Sequence, residues 1–162
     1  MEQEKIESVI STPMTWSVID KKDYQKYHIL STVDVNAVCS WFATGDKAGS
    51  AIVTLYDYGA DKTLISGIDD SIKQIKQDQE LQKQYNIIPV FSAKGKVGGK
   101  HIYLNAIKNF DFSSVAVDVY FMFEDKNYAL HTVVDAIKGN SLTEVITSSP
   151  RLRKICEIIQ SL

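Results

Sequence analysis

The chain is poor in the residues that make metal and disulfide scaffolds. It has two cysteines, Cys39 and Cys156, in 162 residues. They form no C-x-x-C pair, so the zinc-ribbon and thioredoxin-type readings fall away. Each sits in an apolar setting and is expected as a buried, reduced thiol packing as a small hydrophobe. One disulfide between them stays open, because sequence does not bring them into contact. The three histidines, His28, His101 and His131, lie in separate strand-like runs without H-x-x-x-H spacing. Metal sites need clustered ligands, so structural or surface histidines are expected, with no metal and no cofactor. No G-x-S-x-G elbow is present, and no catalytic residue is assigned. Acid–base work by a histidine depends on geometry that sequence does not give.

Other absences narrow the class further. No apolar run approaches the roughly 18 residues that span a bilayer. The start, "MEQEKIESVIST", carries acids and no apolar core, unlike a signal peptide. That points to the cytoplasm, although a signal removed upstream of Met1 would leave the same sequence. Net charge is only −2 and the pI about 5.9, without the basic balance of a nucleic-acid binder. Repeats, low-complexity stretches and Pro/Ser-rich linkers are missing. The three prolines, Pro13, Pro89 and Pro150, fall near element boundaries, where proline is tolerated.

What is there is ordinary globular composition, 44% hydrophobic and 23% charged. The length implies one domain over residues 1–162, and such a chain buries roughly 68–70% of its unfolded surface. Short strands are predicted at Ile6 to Ile10, Trp16 to Ile19, Tyr24 to Thr32, Asn36 to Thr44 and Ser50 to Tyr58. A "TPMTW" turn precedes the second, and "GDKAG" supplies a turn between the last two. Asp61 to Tyr85 changes period: Leu64, Ile68, Ile72 and Ile75 make a helical stripe. Gly67 is expected to split or kink it, and Asp69 or Asp70 to cap the restart. Four strands follow, Ile88 to Val97, Lys100 to Phe110, Val115 to Glu124 and Tyr128 to Asp135. The last two flank the tight turn "EDKN". Val115, Val117, Val119, Phe121 and Phe123 alternate with Ala116, Asp118, Tyr120 and Met122, giving one strongly apolar face. Ser149 and Pro150 open a final helix to Leu162, with Leu152, Ile155, Cys156, Ile159 and Leu162 on its buried side. The order predicts α+β, a mostly antiparallel sheet of about six or more strands covered by helices.

The stretch "KGKVGGKH" looks like a phosphate cradle. It lacks the first glycine and the hydroxyl of a Walker loop, and a strand pattern, "HIYLNAIKNF", follows where a helix is required. A glycine turn between strands is expected instead. The adjacent acids Asp69-Asp70 and Glu124-Asp125 read as a helix cap and a hairpin turn. Lys73, Lys76, Lys83, Lys94, Lys96, Lys100, Lys108, Arg151, Arg153 and Lys154 form a basic tendency, either a solvated face or a surface for an acidic partner. Trp16, Tyr24, Tyr27, Trp41, Phe42, Tyr56 and Tyr58 gather in the first 58 residues. Aromatics of this kind build cores and also anchor interfaces, so these seven are the candidate partner-binding residues.

Together "TPMTW", "AKGKVGGKHIY", "VDVYFMFEDKNYALHTVV" and "CEIIQSL" resemble the PsbP-like superfamily, whose fold is shared with the Ran-binding nuclear-import factor Mog. The resemblance spans most of the chain and rests on element order and local patterns. It implies a helix–sheet–helix sandwich and a mostly non-enzymatic role. Members include photosystem extrinsic proteins, lipoproteins and chaperones for secreted effectors. The acidic Ran-binding surface of the Mog branch has no counterpart here, so no functional residue is carried over. The expectation is a non-enzymatic, cytoplasmic chaperone or adaptor for a secreted effector or toxin, with a homodimer compatible. The alternatives are an exported lipoprotein or periplasmic domain whose signal is removed, and a small-ligand-binding protein or enzyme without a recognisable motif. A pocket holding a histidine beside a carboxylate would favour the last.

Overall fold

The computed structural model of the chain describes residues 6, 16–27, 29, 36–43, 52–111 and 113–162. The predicted turn at 12–15, His28, residues 30–32 and the turn at 45–49 lie outside them. Among the described residues, seven strands make one antiparallel sheet: β1 (Ser17–Val18), β2 (Asn36–Phe42), β3 (Ile52–Gly59), β4 (Ile88–Val97), β5 (Lys100–Lys108), β6 (Val115–Phe123) and β7 (Lys126–Val134). Their spatial order is β1-β2-β3-β7-β6-β5-β4. The long connection from β3 to the far edge carries α1 (Leu64–Gln77) and α2 (Gln79–Tyr85). After β7 come α3 (Leu142–Ser148) and α4 (Pro150–Gln160). This is the predicted α+β class, an antiparallel sheet covered by helices.

Strand alternation sorts the sheet into two different faces. On one, Val117, Val119, Phe121, Leu104, Leu130, Leu55 and Trp41 form the main core with Val145 of α3 and Leu152, Ile155, Ile158 and Ile159 of α4. Burial of each such aliphatic side chain contributes about 1.5–3 kcal/mol. On the other, Tyr103, Tyr120 and Ala129 form a smaller cluster under α1, touched by Tyr58, Ile65 and Ile68. We call these the helix-pair face and the tyrosine face.

Four local readings change. Ile6 has helical backbone and is buried in the main core, where a strand was predicted; the rest of that run is outside the described residues. Tyr24 to Tyr27 turn rather than extend. Asp20 accepts from the Lys22 N–H at 3.2 Å, and the Tyr24 and Tyr27 N–H groups bond back to Lys21 and Asp23 carbonyls. Local capping outweighs the β propensity of Tyr and Ile here. The long helix breaks at Asp78, not Gly67: Asp78 accepts from Glu80 and Leu81 N–H groups and caps α2. Finally α3 was not predicted. Its signal is the capping box Ser141-Leu142-Thr143-Glu144, in which Ser141 Oγ accepts from the Glu144 N–H and bonds its carboxylate, both at 3.2 Å.

The glycine stretch does form the predicted turn. Val97 pairs with Lys100, and Gly98 and Gly99 both take positive φ, 55° and 83°, as a two-residue hairpin of the primed type needs. Its glycines also let the helices close in. A Cβ on Gly95 would meet Leu142 of α3, and one on Gly98 would meet the Gln160 side chain of α4. Lys100 Nζ donates to the Leu162 carbonyl.

Gly98→Ala should therefore cost stability twice, through left-handed backbone strain of about 1–2 kcal/mol and through Gln160. In a urea double-mutant cycle, Gln160→Ala should relieve part of the loss, with coupling of about 0.5 kcal/mol or more. Strict additivity would show that α4 does not pack on the turn.

Candidate functional site

The tyrosine face is arranged in cross-strand rows. Register places Ser40 opposite Thr54, Thr54 opposite His131, His131 opposite Asp118, Asp118 opposite Asn105, and Asn105 opposite Ser92. One polar row thus crosses six neighbouring strands. On its α1 side lie Tyr56, Ala129, Tyr120, Tyr103 and Lys94. On the other side lies an apolar row: Phe42 opposite Ile52, then Val133 opposite Ala116, Ala116 opposite Ile107, and Ile107 opposite Pro89.

α1 covers the tyrosine row and stops there. Asp69, buried in mid-helix, accepts from the Tyr103 hydroxyl at 3.2 Å. It pairs with Lys73 at 2.9 Å and Lys94 at 3.8 Å. So Asp69 is not a cap, and two of the lysines read as a basic surface are engaged by it. These bonds hold the Asp69 carboxyl below the usual carboxylate range, Lys73 first, against an opposing contribution from burial. The tyrosines stay neutral phenols. Burial raises Tyr103 and Tyr58 to about 12, with Asp118 also raising Tyr58, and raises Tyr120 further.

Within the polar row, His131 Nδ1 and Asp118 Oδ1 are 2.8 Å apart, both partly buried. The Tyr56 ring stands edge-on to the imidazole, centroids 6.1 Å apart. Burial opposes the imidazolium, but the Asp118 charge and hydrogen bond outweigh it, and the His131 pKa rises above 6.5. The Thr54 and Ser40 hydroxyls are 2.7 Å apart, and Ser40 also donates to the Val53 carbonyl at 3.2 Å. With Ser40 at 0% and Thr54 at 2% exposure, neither reaches a substrate. The row holds a histidine, a carboxylate and hydroxyls, but no accessible nucleophile beside the base. Asn105 is different: only 5% exposed, its Oδ1 is buried and has no hydrogen-bond partner. A buried acceptor left unpaired costs about 1–3 kcal/mol.

The seven aromatic candidates divide. Trp41 at 0% and Trp16 at 9% exposure belong to the main core, a correction to their reading as partner anchors: β2 alternation turns Trp41 toward the helix pair. Tyr24 lies half-buried in the 20–27 turn. Tyr27 packs edge-on against Phe42, centroids 5.1 Å apart. Phe42, Tyr56 and Tyr58 lie on the tyrosine face, partly exposed, with Tyr58 against Tyr120. His101 is exposed near the glycine turn. Both cysteines are buried and outside any disulfide, and burial, then Glu157, pushes the Cys156 thiol up to about 12. No group of three His, Cys, Asp or Glu suited to a metal occurs among the described residues, and none of their helices is long and apolar enough to cross a membrane. A shallow depression of about 320 Å³ lined by Lys138, Gly139, Glu144, Thr147 and Ser148 belongs to α3 and the segment before it.

The His131–Asp118 pair was missed in the sequence, yet a signal exists. Glu124 and Asp125 take φ of 50° and 65°, so the turn residues fix Phe123 opposite Lys126. Counting back alternately along that hairpin puts Asp118 opposite His131.

The pair sets a pH dependence. A pKa raised on folding stabilises below the unfolded value and loses that stabilisation as pH rises through the folded one. NMR titration of the wild-type imidazole should give a midpoint above 6.5. In Asp118→Asn only the opposing burial remains, so the midpoint should fall below 6.5 and acidification should destabilise. An unchanged midpoint in the variant would remove Asp118 as the cause.

No protein-family model matches the chain, and no curated protein matches it significantly.

Proposed function

We propose that the chain is a non-enzymatic protein-binding module of the PsbP-like type, a cytoplasmic chaperone or adaptor that holds a segment of a secreted partner. The observation that carries this is the half of the tyrosine face that α1 leaves uncovered. There Phe42, Ile52, Ala116 and Ile107 are partly exposed and Val133 is 46% exposed. The polar row runs alongside, and Tyr27 and Tyr56 flank the two rows. A stripe of apolar side chains beside a stripe of hydrogen-bonding groups fits a peptide segment, which offers both kinds of group at short spacing. Binding there removes apolar surface from water and shields the partner's own.

The neighbouring edge strands are less suited. β1 is two residues long, and β4 carries Pro89, a register shift between Pro89 and Phe91, and Lys94 and Lys96, features that discourage strand addition.

Co-expression with the products of neighbouring genes should yield a stoichiometric complex. A photo-crosslinker at position 133 should join the partner, and one at Tyr85, on α2, should not. Val133→Asp should weaken capture by about tenfold or more, as desolvating a charge in the contact demands. A complex that forms with unchanged affinity in Val133→Asp, or no complex at all, overturns the reading.

A further inference from the structure

We propose that the Asp118–Asn105 pair receives the guanidinium of an arginine side chain presented by the partner. This rests on the reading of the tyrosine face as a partner surface, and it names what that partner must carry.

The two residues are direct cross-strand neighbours on β6 and β5, so their side chains stand about 4.5–5.5 Å apart at Cβ. His131 occupies Asp118 Oδ1 and is the carboxylate's one ion-pair partner among the described residues. Asn105 Oδ1 has no partner. That oxygen is buried as it stands, and because the terminal amide torsion is soft, the proposal requires the amide to turn toward the arriving donor beside the partly exposed Asp118. The pair therefore combines a negative charge with acceptors in excess of donors.

That imbalance selects the ligand. An anion is repelled by Asp118. A metal ion finds one carboxylate, one imidazole and one amide, short of the clustered set that holds it. A guanidinium has five N–H donors in a rigid fork and no acceptor. It can reach the carboxylate and the amide oxygen together, and charge-assisted bonds of this kind are the strong ones. The stem also has a place. Ala116 and Ile107 lie opposite each other, one step along the same face from Asp118 and Asn105, and arginine methylenes pack on such surface while the head stays polar. Lys94, the nearest basic side chain in the adjoining row, is turned to Asp69.

The test uses the whole chain and two small probes, blocked arginine (N-acetyl, N-methylamide) and blocked citrulline, its neutral isostere. In NMR titrations, arginine should shift the Asn105 side-chain amide and the His131 imidazole with millimolar affinity, and citrulline should bind at least about tenfold more weakly. Asp118→Asn should reduce arginine binding by about tenfold or more. Equal responses to the two probes, or no response at the row, overturn the proposal without depending on how any variant folds. The co-expressed partner separates the two ideas. A complex indifferent to both Asp118→Asn and Asn105→Leu removes the arginine contact and leaves the module reading. Saturable arginine binding in a chain that captures no partner keeps the cation site and removes the partner.

Discussion

The reach of α1 decides what the tyrosine face can do. The helix crosses the strands from Tyr58 on β3 to Tyr103 on β5, and Asp69 fixes it by a hydrogen bond to the Tyr103 hydroxyl and ion pairs to two lysines. Its entry is also tied down, since the Asn127 amide donates to the carbonyls of Gly59 and Asp61 at 3.1 and 2.7 Å. A helix is about 10–12 Å across with its side chains, while successive same-face rows of a sheet lie about 7 Å apart. Such a helix, through Ile65 and Ile68, covers the tyrosine row. The polar row and the apolar row beyond it lie outside that width. The apolar row keeps its partial exposure there, and within the polar row Asp118 and His131 stay partly exposed while Ser40, Thr54 and Asn105 are buried.

The opposite face is packed by the helix pair. α3 and α4 together lay Val145, Leu152, Ile155, Ile158 and Ile159 on the strands. Arg151 ties the start of α4 to the Thr132 hydroxyl and the Val133 carbonyl of β7. The glycine hairpin makes room for the other end. Stability is concentrated there, in a packed hydrocarbon layer where losing one large side chain typically costs about 2–5 kcal/mol. The tyrosine face is then free to keep polar groups that packing alone would not favour. Asn105 with its unpaired oxygen and the Asp118–His131 pair are of that kind, and such local inconsistency is where functional groups are usually found.

Much of this was legible in the sequence, and the boundary of legibility is physical. The alternation of Val115 to Phe123 gave β6, and Gly98-Gly99 and Glu124-Asp125 gave two hairpins with their registers. Asn105 opposite Ser92 and Asp118 opposite His131 both follow by counting from those turns. What does not follow is how the hairpins assemble. Thr54 meets His131 through the β3–β7 pairing and Asn105 meets Asp118 through β5–β6, and no tight turn of known register joins either pair of strands. The same gap explains the tryptophans. Trp16 and Trp41 look like interface anchors until pairing with Val53 turns Trp41 to the core and burial places Trp16 beside it. Asp69 looked like a cap because its true partner, Tyr103, is 34 residues away.

The polar row carries the groups on which the proposed recognition role draws. A base needs a proton within reach, and the hydroxyl opposite His131 is Thr54, buried and engaged with Ser40. The cysteines are buried thiols, and the tyrosines are held as neutral phenols. Within the polar row, the Ser40 and Thr54 hydroxyls are sealed from solvent. The groups left available are a carboxylate oxygen, an amide and an imidazole that carries charge above its usual range. In the proposed role these groups set the position and charge of the bound segment. Because the imidazole competes for the same carboxylate, acidification strengthens the internal pair and leaves Asp118 less attractive to an incoming cation. The row that offers a binding charge therefore also limits the pH range over which that charge is free.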